Sequence, residues 1–537
     1  MSTEARSSFG LLATVALAGA GTMVVELAAV RVLAPWFGTS AAVWTNVIGV
    51  VLLAMSLGYL IGSRLSIRER PLRALGRALV VASLVIAWLP AATGPMAGLF
   101  LPEGGTLDRS ADLLLWGSLA ASFVLFSPAA LALGCVGPLA VECVQQRTQG
   151  HAGTAGGTVL FASTLGSLVG TFGTTHYLIP TLGVAASFYV AAGTLALLGF
   201  VVLWRARSLS AASAVLLLMS ASAAFGGGYV PPNPRGQVTV LESVQSLYQV
   251  VRVVESGSGE ARTRQLQVNE GMDSFQSVWQ PNPGLLGIGY YYNYFCLPAW
   301  WSLPQEEWKV MVLGLGAGTA WRVLDGTLPI DTQLEAHGVE IDPKVIELAK
   351  RWMDLPEDGE HFSTWSGWDA RAVLTQQEET YDQIILDTYA NQMEVPAHLC
   401  SLEFFEEVLK HLPKGGWLSI NIGGFGVDDP VVDAIAQTAA TAFGQAALVV
   451  RVPFARNCIA YLRRDMSVPL PGKEGWEIAA GPVGHLLPPI LLEGAWRLIE
   501  PSGEAPLTDD RNPIEKLQRE SIALAAERLS AFDLAVN

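Results

Sequence analysis

Val310-Met311-Val312-Leu313-Gly314-Leu315-Gly316-Ala317-Gly318 decides the fold: a short apolar run of strand-forming residues empties into a G-x-G-x-G turn. A second apolar run follows, Gly338-Val339-Glu340-Ile341-Asp342, and its Glu340 stands 26 positions beyond Gly314. In a doubly wound α/β sheet the glycines bring the backbone close to a bound nucleotide, and an acid at the end of the second strand accepts hydrogen bonds from both ribose hydroxyls. Gly314, Gly316, Gly318 and Glu340 are therefore the first candidate ligand-binding residues.

Outward from this stretch the pattern of strand then helix repeats. Pro343 suits the first turn of a helix over Lys344–Met353. Tyr381–Leu386 reads as a strand, Ser401–Leu412 as a helix capped by Ser401, Trp417–Ile422 as a strand and Asp429–Phe443 as a helix, with strands near Ala447–Val452 and Ile459–Arg463. Such alternation predicts a largely parallel sheet covered by helices on both faces. Ligands of these sheets lie at the carboxyl ends of the strands, which selects Glu340, Asp369 after Gly367-Trp368, and Asp387 at the end of Ile384-Ile385-Leu386. An acid that finishes a buried strand is costly without a partner, so Asp387 is the strongest catalytic candidate.

Before this sheet, Val238–Glu242, Tyr248–Glu255 and Arg264–Asn269 alternate polar and apolar residues, with Ser256-Gly257-Ser258-Gly259 between the second and third. They predict a small antiparallel unit. The breaker cluster Gly226-Gly227-Gly228-Tyr229-Val230-Pro231-Pro232-Asn233-Pro234 separates it from everything upstream. The expected organisation is a transmembrane domain over 1–230, a β unit over 236–305 and a Rossmann-like domain over 306–537.

Charge divides the chain at the same place. Residues 1–235 carry a net +5 and the remainder −20, making up the −15 of the whole. The front part contains apolar runs at about 11–34, 43–62, 78–101, 112–141, 156–180, 182–204 and 208–226, each near the roughly 20 residues that cross a bilayer. About seven spans are expected, the first retained because no small-residue cleavage site follows it. Arg64, Arg68, Arg70, Arg73 and Arg77, against the single acid Glu69, assign their loop to the cytoplasm, with Arg147, Arg205 and Arg207 on the same side. Seven full crossings would put the carboxyl half outside. A re-entrant 112–141 run, interrupted by Pro128, Gly134 and Pro138, or a last run that does not cross, would keep it inside, where nucleosides are made. Gly166, Gly170 and Gly173 predict close helix packing, and the five cysteines lack disulfide or metal spacing and read as buried thiols.

On these residues the carboxyl half resembles the spermidine synthase family of aminopropyltransferases. The resemblance is carried by Glu242-Ser243, Tyr248-Gln249, Tyr290 before Leu297-Pro298, the glycine turn, Val339-Glu340-Ile341-Asp342, Asp369-Ala370, Tyr381–Asp387, Pro396–Phe405 and Pro413-Lys414-Gly415-Gly416. The front half is similar to the multi-span region fused to such domains in some bacterial proteins.

The resemblance implies a class I methyltransferase-like fold and S-adenosylmethionine or its decarboxylated form as co-substrate. Glu340 would hold the ribose, Asp369 the adenine amino group, Gln249 the nucleoside, and Tyr290 with Asp387 the reacting amine. It implies a small amine or polyamine as substrate, no metal and no nucleic acid, with the lipid bilayer as partner and a homodimer compatible with it. Two departures stand out. Ala317 replaces the acid that the family carries in its glycine turn to receive the donor's amine, and Asn391 stands where the family has a second acid after the catalytic one; Glu394 or Asp273 are alternative diamine grips. The expected reaction is aminopropyl transfer with release of methylthioadenosine. The alternatives are intramolecular or eliminating cleavage of intact S-adenosylmethionine, methyl transfer, and nucleoside binding without turnover by a transporter or sensor.

Overall fold

The computed structural model describes residues 3–37, 41–68, 70–100, 110–148, 151–223, 238–246, 248–268, 276–282, 284–389, 395–473, 476, 483–502, 506–514, 516–518, 520–521 and 524. Asp273, Asn391 and Glu394 fall outside them. The chain separates into two compact units that part near residue 233.

The first unit is helical: α1 (Thr3–Phe37), α2 (Ala41–Arg68), α3 (Pro71–Phe100), α4 (Ser110–Gly134), α5 (Val136–Thr148), α6 (Ala152–Gly173), α7 (Ile179–Leu182), α8 (Val184–Arg205) and α9 (Ala211–Ala223). Among the described residues six segments are long and apolar enough to cross a membrane, with α4 and α5 forming one of them over Trp116–Thr148. The break between these two has a local cause, because Pro138 has no N–H to give to the carbonyl of Gly134. Cys135 N–H still donates to Leu131 and Leu139 N–H to Cys135, so the path continues through the break. The described part of the last apolar run is α9, whose 13 residues span about 20 Å at 1.5 Å per residue, short of the roughly 30 Å hydrocarbon core.

Small residues set the helix contacts. A β-carbon on Gly166 or Gly170 of α6 would collide with the backbone of Ala16 and Ala20 of α1, whereas Gly173 faces open space. The order of these partners makes α1 and α6 run in the same direction.

The second unit holds two sheets. The smaller is antiparallel, in the order β1 (Thr239–Gln245), β2 (Val250–Ser256), β3 (Thr263–Val268) and β4 (Ser277–Trp279). After α10 (Leu297–Trp301) the larger begins with β5 (Glu307–Leu313), α11 (Thr319–Asp325), β6 (Gln333–Glu340), α12 (Pro343–Trp352), β7 (Phe362–Ser366), α13 (Ala370–Gln376) and β8 (Gln383–Leu386). It ends with α14 (Leu402–Lys410), β9 (Trp417–Gly423), α15 (Pro430–Phe443), β10 (Ala447–Arg451), β11 (Asn457–Arg463) and β12 (Trp496–Ile499). Its order is β12-β10-β11-β9-β8-β5-β6-β7.

The pairs from β7 to β9 are parallel, whereas β11, β10 and β12 add antiparallel pairs at one side. The sheet is thus mixed, a class I methyltransferase-like arrangement with an antiparallel flank. Helix starts follow side-chain capping: Asp342, Asp369, Ser401 and Asp429 each accept a backbone N–H of the helix they precede. Val251, Val253, Leu266 and Val278 of the small sheet share one core with Val310, Val312, Leu315 and Ile385 of the large one. All five cysteines are free and buried.

Candidate active site

Strand order reverses at β5. Leu313 pairs with Val339 of β6 on one side and with Leu386 of β8 on the other, so the turn that follows β5 lies between the ends of those two strands. Gly314, Gly316 and Gly318 all have positive φ, of 87°, 55° and 82°. Gly314 also has no room for a side chain, since a β-carbon there would strike the carbonyl of Asp387. Main-chain bonds close both flanks: Gly314 and Leu315 donate to Val339 O at 3.0 and 2.8 Å, and Asp387 N donates to Leu313 O at 2.8 Å.

Glu340 is drawn against this turn. Its Oε2 accepts Gly316 N–H at 2.9 Å and its Oε1 accepts Asp342 N–H at 3.0 Å. Burial raises its carboxyl to about 7 against the opposing pull of these N–H donors. Two carboxylate oxygens with one donor each keep acceptor capacity for a diol.

Asp387 is held from two other elements. Asn421 Nδ2, on β9, donates to its Oδ1 at 2.8 Å, and the Tyr291 hydroxyl donates to its Oδ2 at 3.1 Å. Burial lifts this carboxyl to about 7, and the two neutral donors only partly offset it. The hydroxyl that reaches Asp387 belongs to Tyr291, one residue beyond the Tyr290 to which the resemblance assigns the amine. Tyr291 opens a tight 3₁₀ segment over residues 291–296, with Tyr290 just before it. Tyr291 packs on Tyr292 at 4.0 Å and edge-on to Phe295 at 5.9 Å, so its ring is fixed, while burial raises the Tyr290 phenol above its usual range.

Gln249 lies one step behind the turn. Its amide donates to Asp342 Oδ2 at 3.3 Å, beside the Ser246 hydroxyl at 2.6 Å on the same oxygen. Asp342 is thereby the buried hub that ties the small sheet to α12, a role its position two residues past Glu340 does not announce. Asp369 caps α13 through Oδ1, and His398 Nε2 meets its Oδ2 at 2.9 Å; that imidazole contact holds the carboxyl below its usual range. In the glycine turn Ala317 is only 4% exposed, and its N–H is taken by Ser277 Oγ at 2.9 Å. Thr319 Oγ1 clasps both polar groups of Val278 at 2.9 and 3.0 Å, which pins β4 over the turn. Gly314, Gly316, Gly318, Glu340 and Asp387 are thus gathered at one place by the strand ends, with Tyr291, Asn421 and Ser277 as partners.

Residues 303–461 match the family model of the spermine/spermidine synthase domain. A probable polyamine aminopropyl transferase of Bifidobacterium longum is 32% identical over 170 residues, 32% of this chain and 35% of that protein. A polyamine aminopropyltransferase of Chromobacterium violaceum is 33% identical over 107 residues, 20% and 39% of the two chains. The chain thus spans between a third and two fifths of the length of these curated relatives. Among solved structures, a probable spermidine synthase from Corynebacterium glutamicum superposes with a TM-score of 0.41 at 19% identity, over 50% of this chain and 97% of that one. Spermidine synthase from Thermotoga maritima gives 0.33 at 14% identity, over 53% and 84%.

Proposed function

Taking residues 303–461 as a spermine/spermidine synthase domain, we propose that the protein is a membrane-bound transferase that cleaves the sulfonium of decarboxylated S-adenosylmethionine. It passes the aminopropyl group to an amine or polyamine and releases methylthioadenosine. The observation that supports this best is the pair of buried carboxylates on either side of Gly314, Glu340 for the ribose and Asp387 for the nucleophile, both raised to about 7.

In the step, the lone pair of a neutral amine forms a bond to the methylene carbon beside sulfur. The carbon–sulfur bond breaks, its electrons neutralise the sulfonium, and the amine proton passes to Asp387. A sulfonium leaves without acid assistance, so the residues align the reactants and remove one proton. A carboxylate with a proton affinity near neutrality takes that proton more readily than an ordinary aspartate and still releases it to water.

Ala317 favours a second reading. The buried methyl group leaves no negative charge in the turn to receive an aminopropyl ammonium, and none to repel a carboxylate, so intact S-adenosylmethionine fits the same place as a substrate for intramolecular or eliminating cleavage. Incubating the purified full-length protein with either donor, with and without putrescine, separates the readings by mass spectrometry. Methylthioadenosine formed only from decarboxylated donor plus amine supports transfer. The same product from intact donor alone selects the second reading, S-adenosylhomocysteine selects methyl transfer, and no turnover leaves nucleoside binding.

The six candidate spans among the described residues support a side. An even number returns the chain to the side on which it began, and the arginine-rich segment between the second and third spans belongs in the cytoplasm. The catalytic domain then faces the cytoplasm of a multi-pass inner-membrane protein, where its substrates are made. A phosphatase reporter fused at Arg235, beyond α9, should be inactive and a fluorescent one bright; the reverse would place the site outside.

A further inference from the structure

Beyond the pair that touches Asp387, a third residue completes a chain of amides. Asn457, the first residue of β11, donates from Nδ2 to Asn421 Oδ1 at 2.9 Å, and Asn421 donates from Nδ2 to Asp387 Oδ1 at 2.8 Å. Asn421 is 2% exposed, and its own carbonyl accepts the Tyr389 hydroxyl at 2.9 Å, which in turn accepts Gly423 N–H at 2.7 Å. Its backbone is therefore fixed, and only rotation of the amide group is left.

That rotation has two outcomes of opposite sign. With the NH₂ toward Asp387, Asn421 donates to a carboxylate and favours the ionised form. Turned over, it presents an oxygen that faces Asp387 with repulsion unless the carboxyl carries a proton. An isolated amide has no reason to keep one orientation when the carboxyl can follow it. Asn457 supplies the reason: a flipped Asn421 would set two NH₂ groups against each other and leave buried donors unpaired. The approach of Asn457 is itself constrained, since Val452 N–H donates to Asn457 O at 3.0 Å and Gly424 N–H to Arg456 O at 3.0 Å.

We infer that Asn457, which does not touch Asp387, is a positioning residue that holds the Asn421 amide donor-first and so keeps Asp387 ready to take a proton. This rests on the role given to Asp387 above, and it adds a second tier to it. The titratable groups that face Asp387 are Tyr291 and Tyr292 from the 3₁₀ segment and Tyr389 beyond β8; their phenols are raised by burial and stay neutral across the relevant range, so the orientation of Asn421 is the adjustable influence.

The test reads the proton on Asp387 directly and needs no turnover. In pH-difference infrared spectra of the full-length protein, the carboxylic-acid band of Asp387 is assigned by its loss in Asp387→Asn. Asn457→Ala should raise the midpoint of that band by about one pH unit, a tenfold gain in proton affinity. Asn457→Asp, the same size but an acceptor, should raise it further, and melting temperatures close to wild type show that the variants fold. Asn421→Ala should raise the midpoint, and Asn457→Ala added to it should change nothing more, because the remote residue acts only through the near one. An unmoved or lowered midpoint in Asn457→Ala, or additive shifts in the double variant, overturns the inference. Expected shifts in a protein that turns over neither donor would uphold it and sink the transferase reading.

Discussion

The two ends of the large sheet both collect acids and treat them in opposite ways. At the amino ends of the strands Lys309 Nζ lies 2.7 Å from Glu335 and 2.9 Å from Glu379, with His337 Nε2 3.3 Å from Glu335. At the carboxyl ends Glu340 and Asp387 meet backbone N–H groups, an amide and a phenol, and among the described residues neither meets a cation. A cation at that distance offsets a carboxylate's charge, whereas neutral donors leave much of the burial cost standing. Glu335, His337 and Glu379 are near enough to surround a metal ion, but the Lys309 ammonium already bridges the two carboxylates. On the proposed reading an acid without a counter-ion, rather than a cluster of acids, marks the reactive end.

The largest expected effect comes from removing the proposed base. Asp387→Asn should lower turnover by roughly 10²- to 10⁴-fold while methylthioadenosine affinity, measured by calorimetry, stays within about twofold; a variant at full rate would erase the distinction between the ends. Glu340→Gln should weaken that affinity by about 1–3 kcal/mol, the cost of leaving a ribose hydroxyl poorly paired. Unchanged affinity would take Glu340 out of the pocket.

A smaller effect concerns pH. The carboxyls of Glu340 and Asp387 are raised to about 7, above the roughly 4 of an unfolded chain. Their contribution to stability is complete below about pH 4 and is lost as pH rises through about 7. The melting temperature of the wild type should fall over that window more than that of an Asp387→Asn, Glu340→Gln double variant, and parallel curves would contradict the assignment. Turnover should run the other way, rising through about pH 7 as Asp387 ionises. Asp509, lowered to about 2 by its bond to Arg371, contributes stability above the unfolded value and loses it only as pH falls toward 2.

The smallest effect is expected at the opposite end. Lys309→Met should cost about 1 kcal/mol or less, since its ion pairs are partly exposed, and should leave turnover unchanged. A loss of activity comparable to that of Asp387→Asn would show that the two ends are not functionally separate.

Much of this arrangement was legible in the residues themselves. Strand-end acids and glycines are tied to chain periodicity, so Glu340 and Asp387 could be located from the apolar runs they terminate, and the helix cap Ser401 from the helix it precedes; the cap Asp342 emerged only with the structure. The partners were harder. Asn421, like Ser419, interrupts the apolar strand Trp417–Gly423 and was an available signal for a buried polar contact. Nothing in Tyr290-Tyr291-Tyr292 says which phenol turns toward the acid, because a 3₁₀ segment has no face that hydrophobic spacing reveals. Asn457 depends on register between antiparallel strands far apart in sequence, and the Ser277 contact with Ala317 on a strand of the small sheet meeting the glycine turn of the large one. The parallel sheet expected from alternation acquires its antiparallel flank because β10 to β12 follow one another with a single helix-free connection between β10 and β11. Seven apolar runs correspond to six candidate spans among the described residues, because the described helix of the last run, α9, has 13 residues.

Gly314 has a consequence for selectivity. With no side chain to accommodate and the Asp387 carbonyl directly against its backbone, it sets the proposed sugar grip and base at a fixed spacing, its own N–H bonded to Val339 O and Asp387 N–H to Leu313 O. On the proposed reading the pocket is in effect a ruler: a donor with one more methylene between ribose and sulfur would carry its reactive carbon past the nucleophile.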